Sequence, residues 1–202
     1  MDIRFMNTHP YAFYLQSMGI RYFFSSPGHN SSSYSDALPD QDHGTDADSH
    51  HEQHDSSLIP EFLLAQLRPA YAVFTYFNLY QDLQEGFNSQ QGKLLTTILS
   101  HLGWPDQSIA FWPVSRAHDL SITPDPEFFL HGLNLIKPAY IFCFGAQAFR
   151  VFMSPSKFVY GKWYYRDIRV LALPDLDAML PDNRILKNFT WHILHKFSPL
   201  RI

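Results

Sequence analysis

Asn78, Arg116 with His118, and Asp175 are the polar side chains that follow the chain's most apolar runs. Asn78 closes Thr75-Tyr76-Phe77-Asn78, Ser115-Arg116 follows Pro113, and Asp175 closes Leu173-Pro174-Asp175. A fourth such point is Gly145-Ala146-Gln147. An asparagine in such a place can orient a water, and an arginine beside a histidine can contact a phosphate. Each of these also has a plainer reading, Asn78 as a turn residue, Arg116 and His118 as a solvated loop; Asp175 reads as the cap of a following helical turn. No carboxylate pair, Ser/His/Asp set or Cys/His pair assembles from these four points. Gln90-Gln91-Gly92-Lys93-Leu94 lacks the spaced glycines and the Ser or Thr after lysine that a phosphate loop needs. Cys143 is the single cysteine, which excludes an internal disulfide and any Cys-ligated cluster within one chain. His50 and His54 are four apart, but Glu52 does not directly follow the first of them, as a metalloprotease helix requires. The expectation is no catalytic set, no metal and no cofactor: a protein that is not an enzyme.

These points are ordered by the elements before them. Ala139–Phe144 is apolar or aromatic without interruption, and Pro138 and Gly145 bound it. So short a run reads as a strand buried on both faces, as in a parallel sheet, and makes Cys143 a small buried hydrophobe. Ala70–Phe77, Ser108–Val114 and Ile168–Leu173 read as sister strands, the last with a hairpin arm at Lys162–Tyr165. Helices are expected over 58–67, 93–102, 126–136, 146–152 and 183–197, with loops over Asn78–Gly92 and Ser115–Pro126. Strands alternating with helices predict a three-layer α/β domain over 58–202, with a central, mostly parallel four-stranded sheet flanked by helices. In such sheets ligands collect beyond the carboxyl ends of the strands.

Two segments precede that domain. Residues 1–28 hold Tyr11, Tyr14, Leu15 and Met18 at helical spacing, with Gly19 suited to end the turn, followed by an extended aromatic stretch from Ile20 through Phe23 and Phe24. A helix so short is marginal alone in water and needs a surface, either its own domain or a partner's groove. Residues 29–57 carry seven acidic residues, no Lys or Arg and almost no large apolar side chain, so they predict a disordered acidic, His-rich linker. Setting those seven aside turns the net charge of −4 into +3, too little for a dedicated nucleic-acid binder. No apolar run approaches the ~18 residues of a membrane span. No signal-peptide pattern opens the chain. A reducing cytoplasm suits the lone cysteine.

The residues now in view resemble two families. Gly92-Lys93-Leu94-Leu95, the strand at 108–114, Leu133–Pro138 and Gly145-Ala146 are similar in order to the uracil-DNA glycosylase superfamily. Its catalytic signatures do not carry over: Thr75-Tyr76-Phe77-Asn78 stands where that superfamily has a Gly-rich motif, and Leu173-Pro174-Asp175 stands in place of His-Pro-Ser. Leu15-Gln16-Ser17-Met18-Gly19-Ile20, then Phe23 and Pro27-Gly28, resembles the N-terminal segment of the psi-subunit family of bacterial DNA polymerase III. That segment runs Leu-x-x-Leu-Gly-Ile, then Trp and Pro-Gly. The stretch from Leu173 to Pro181, followed by Trp191, looks like that family's C-terminal stretch. Departures are Phe23 for Trp, one residue fewer before Pro27, Ser25-Ser26 where the family tends to be basic, and a longer linker.

The second resemblance implies a non-catalytic accessory subunit of the replicative polymerase, with a glycosylase-like domain and an N-terminal peptide extension. Tyr11, Tyr14, Leu15, Met18, Gly19, Ile20, Phe23 and Phe24 would dock on the clamp-loader collar formed by gamma or tau subunits. The α/β domain would bind the chi subunit, and through it, indirectly, single-stranded-DNA-binding protein. No direct sequence-specific nucleic-acid contact and no membrane contact is implied. The alternatives are a divergent glycosylase using Asn78 and Arg116, with Tyr76 and Phe77 as an aromatic slot, and a plain DNA-binding module.

Overall fold

The computed structural model describes residues 59–118 and 121–201. The acidic linker and all eight N-terminal anchor residues lie outside the described residues. Within the described chain a mixed five-stranded sheet runs in the order β2-β1-β5-β7-β6. Its strands are β1 (Ala72–Tyr76), β2 (Ile109–Phe111), β5 (Tyr140–Phe144), β6 (Gly161–Tyr165) and β7 (Ile168–Leu173). The expected count of four is corrected to five: β2, β1, β5 and β7 are parallel, and the hairpin arm at Gly161–Tyr165 joins as an antiparallel edge. A two-residue turn keeps β6 paired with β7 along its whole length, which promotes it from arm to strand. Every residue of β1 and β5 is buried, as an apolar run covered on both faces requires.

One face of the sheet carries Ala72, Phe74 and Tyr76 of β1, Tyr140, Phe142 and Phe144 of β5, and Leu171 and Leu173 of β7. Phe74 stacks on Phe142 at 4.8 Å, and Trp104 meets both rings edge-on at 5.7 and 5.5 Å. Over this face lies α3 (Gln90–Leu102), whose buried Leu95, Leu99 and Leu102 form one stripe. The Ser89 side chain caps it by accepting from the Gly92 N–H at 2.9 Å, and Gly103, left-handed at φ 63°, ends it. Beside α3 lies α6 (Arg184–Lys196), capped by Asn183 and buried through Thr190 and Leu194.

The opposite face packs on α4 (Pro126–Ile136) and α5 (Ala146–Met153). Phe149 and Phe152 of α5 meet Trp163 and Tyr165 of β6 edge-on at 5.4 Å each. Gly132 of α4 lies against the fully buried Trp112 indole, which donates to the Phe128 carbonyl at 3.1 Å.

Two stretches expected as loops hold short elements. Asn78–Gly92 contains α2 (Leu79–Gln84), and Ser115–Pro126 contains a β-hairpin of β3 (Ser115–His118) and β4 (Ser121–Pro124). The expected helix at 58–67 contracts to α1, the four residues Glu61–Leu64. Beyond it, Gln66 turns its side-chain oxygen to the Phe111 N–H of edge strand β2, at 2.9 Å.

Candidate functional site

A crevice opens beyond the carboxyl ends of β1, β5 and β7, where a doubly covered parallel sheet puts its ligands. Its lining is Tyr76, Phe77 and Asn78 after β1, Gln91 of α3, Phe144, Gln147 and Ala148 around the β5–α5 junction, and Asp175 and Asp177 after β7. The empty space is about 290 Å³, including the part open to solvent. Its charged lining residues are two carboxylates and no cation. A phosphate backbone approaching this lining meets charge of its own sign.

The expected polar groups at the strand ends are occupied by their neighbours. Asn78 directs its amide to the Gln91 side-chain oxygen at 3.4 Å, a long bond, and stands at the start of α2 as the turn residue it was expected to be. Arg116 does not reach the crevice lining. Its Nε lies 2.8 Å from the Asp125 carboxylate, and its guanidinium sits 4.7 Å over the Phe128 ring. The Nε has no aligned hydrogen bond, so the contact is an ion pair by proximity. Asp125 also caps α4 by accepting from the Phe128 N–H at 2.9 Å, so the cap and the ion pair fix each other. His118 is exposed on β3. The hairpin carrying Arg116 and His118 is tied to the end of β1 by a bond from the Ser115 hydroxyl to the Phe77 carbonyl.

Asp175 accepts from the Asp177 N–H at 3.1 Å, two residues on. The cap position of the short helical turn Asp177–Met179 is held by Leu176 with no side-chain cap bond, so the expected cap is instead an Asx turn leading into it. Its other oxygen lies against Gly145: a Cβ there would come within 2.6 Å of it, and the glycine holds φ +85°. Gly145 thus lets the last strand's loop close on the start of α5. Burial holds the Asp175 carboxyl above its ordinary range; the Asp177 N–H draws it down, and the Asp177 charge adds to the rise. The side chain keeps a solvent-facing side despite that burial. Burial pushes the Cys143 thiol up, helped by the charge of Asp175, so it is not a poised nucleophile.

Sequence reasoning missed the most buried polar pair beside the crevice. Asp82 of α2, 2% exposed, accepts from the Tyr76 hydroxyl at the end of β1. Burial and the Asp82 carboxylate both push the Tyr76 phenol far up. The signal was an acid between Leu79 and Leu83 on the inward side of a short helix, inside a stretch that reads as polar loop. Gln91 and Asp177 were also not singled out as lining residues, while Gln147 belongs to the strand-end point Gly145-Ala146-Gln147.

No protein family matches the chain, and no curated protein matches it. Among the described residues, no group of three or more His, Cys, Asp or Glu side chains is placed to hold a metal ion. None of the described helices is long and apolar enough to cross a membrane.

Proposed function

We propose that this protein is a non-catalytic accessory subunit of the bacterial replicative DNA polymerase III, of the psi kind. It bridges the clamp loader to the chi subunit and, through chi, to single-stranded-DNA-binding protein, in the cytoplasm. Its α/β domain is of the glycosylase kind, and the N-terminal anchors are Tyr11, Tyr14, Leu15, Met18, Gly19, Ile20, Phe23 and Phe24. The observation that carries this reading is the motif from Leu15 to Gly28, set apart from the domain by an acidic stretch without Lys or Arg. The domain adds support. Its strand-end groups are spent on internal partners: Asn78 on Gln91, Arg116 on Asp125, Asp175 on the Asp177 N–H.

Apolar and aromatic anchors dominate the energy of such contacts, so losing Leu15 or Phe23 should cost ~2 kcal/mol or more of binding. A chain lacking residues 1–28 should keep the fold of the α/β domain, read by circular dichroism, and lose co-purification with the clamp loader. Unchanged co-purification sinks the adaptor reading. Excision of uracil from DNA by the full chain, abolished by Asn78→Ala, would replace it with an enzymatic one.

A further inference from the structure

The two edges of the sheet are finished differently. At β2 the outward Phe111 N–H is taken by the Gln66 side chain at 2.9 Å. At β6, nothing among the described residues bonds the main chain on the side away from β7. The two-residue turn Arg166-Asp167 makes Tyr165 and Ile168 a bonded pair, so bonding to β7 alternates back through Trp163 and Gly161. Lys162 and Tyr164 therefore direct their N–H and C=O groups outward, four main-chain groups along an open edge.

The side chains along that edge are sorted by face. Lys162 and Tyr164 share the face of Leu171 and Arg169, their partners on β7. Lys162 sits 5.1 Å over the Phe197 ring, and Tyr164, 68% exposed, is the most exposed of the large apolar and aromatic side chains described. Arg169 donates to the Tyr140 hydroxyl at 2.6 Å. Arg166 holds the turn, over the Tyr165 ring at 5.8 Å. None of these three cations is within ion-pair distance of a carboxylate among the described residues, and Asp167 is the hairpin's one acid. The other face offers the half-buried Trp163 and Tyr165, backed by Phe149 and Phe152.

We propose that the open edge of β6 receives an extended segment of a partner protein, added as a sixth strand, in which acidic residues alternate with apolar ones. The acidic residues lie on the Lys162–Tyr164 face and the apolar ones against Trp163 and Tyr165. Main-chain bonds supply the docking, and alternate side chains supply the selectivity. A second copy of this chain fits poorly, because edge-to-edge pairing sets the cationic Lys162 edge against itself. One edge lysine is enough to discourage such pairing; it does not account for Arg169, which faces the exposed Tyr164 across the ladder and bonds a hydroxyl instead of a carboxylate. A single nucleic-acid strand would also find cations and a ring to stack on, but it has no use for four outward main-chain groups. The inference goes beyond the adaptor reading and stands or falls without it, since the residues it is argued from are those of the β6–β7 hairpin and its backing.

The probe is a synthetic peptide alternating aspartate with valine and phenylalanine, titrated into the full-length protein, with a block-ordered peptide of the same composition as control. Hydrogen exchange should slow at the Lys162 and Tyr164 amides on binding, while those of β7 stay as they were. Tyr164→Pro removes one outward N–H without touching the ladder to β7. It should weaken the alternating peptide about tenfold or more, as should Lys162→Glu. Circular dichroism of both variants checks that β6 is still formed. The proposal is overturned if the two amides gain no protection, if the block-ordered peptide binds as well, or if neither variant weakens binding. It is equally overturned if oligothymidylate competes the peptide off and itself binds Tyr164→Pro as tightly as the natural chain.

Discussion

At the scale of single residues, Gly132 opposes helix propensity to packing. Alanine at a helix interior is worth ~1 kcal/mol over glycine. Here its Cβ would lie 1.9 Å from the Trp112 indole, a ring that is fully buried and bonded to Phe128. Overpacking of that kind costs ~1–3 kcal/mol or more, so packing wins, and Gly132→Ala should lower the urea midpoint. A raised midpoint would mean that Trp112 has room to move. Tyr76→Phe leaves the Asp82 carboxylate buried without its hydroxyl, at a cost of ~1–3 kcal/mol or more. Tyr76→Phe combined with Asp82→Leu should recover part of that loss, and a double-mutant cycle in urea reads the coupling. Asp175 makes a pH prediction. A carboxyl held up in the folded chain binds its proton more tightly there than when unfolded. Its contribution to stability is therefore fully present below the unfolded value and is lost as pH rises through the raised folded one. Asp175→Asn keeps an acceptor for the Asp177 N–H, so it should remove that loss and be relatively more stable at neutral pH than in acid. Equal pH profiles for the two proteins would refute it. That Asp175 would bond the main chain just after it was legible, because an aspartate between a strand and a helical turn readily makes an Asx turn; its cap position was not. The Tyr76–Asp82 pair was not, because its burial depends on how α2 folds back on the end of β1.

At the scale of elements, the cap of α4 and the β3–β4 hairpin are one construction. Asp125 caps the helix and pairs with Arg116 of β3, while Asp125 N–H donates to the Val114 carbonyl at 2.9 Å. Asp125→Ala should cost ~1–2 kcal/mol through the cap alone and free Arg116. Arg116→Ala should cost less, since the half-exposed ion pair is worth ~1 kcal/mol or less. Thermal melts of the two variants give the order, and a larger loss for Arg116→Ala contradicts it. The helices α3, α4 and α6 were readable because cap, apolar stripe and stop agree in each. The β3–β4 hairpin was not: its residues are mostly exposed and polar, and it is held by the Ser115–Phe77 and Arg116–Asp125 contacts, which local composition does not carry.

At the scale of the whole domain, β5 was legible as a continuous apolar run, β1 as a β-branched and aromatic one and β7 as an apolar run after Arg169, while β2, read over 108–114, keeps only Ile109–Phe111. The β6 arm alternates faces and lies at an edge, so its pattern is weaker, and it was read as an appendage to β7. The described strands, caps and ring contacts pair with one another within residues 59–201, so a chain starting at Leu58 should unfold cooperatively with the midpoint of the full chain. A large drop in urea would show that the N-terminal segments support the core.

The sheet's order also bears on how the chain is made. β1 lies between β2 and β5, and Ala72 waits for Tyr140 before its inner side is covered. Parallel partners so far apart in the chain are brought together slowly. On the ribosome, the five residues of β1, all buried in the folded chain, emerge well before β5 does. During that interval the nascent polypeptide offers a sticky, unpaired segment that a holding chaperone would shield. The last hairpin, β6–β7, needs no such wait, so the last strands made are the quickest to pair.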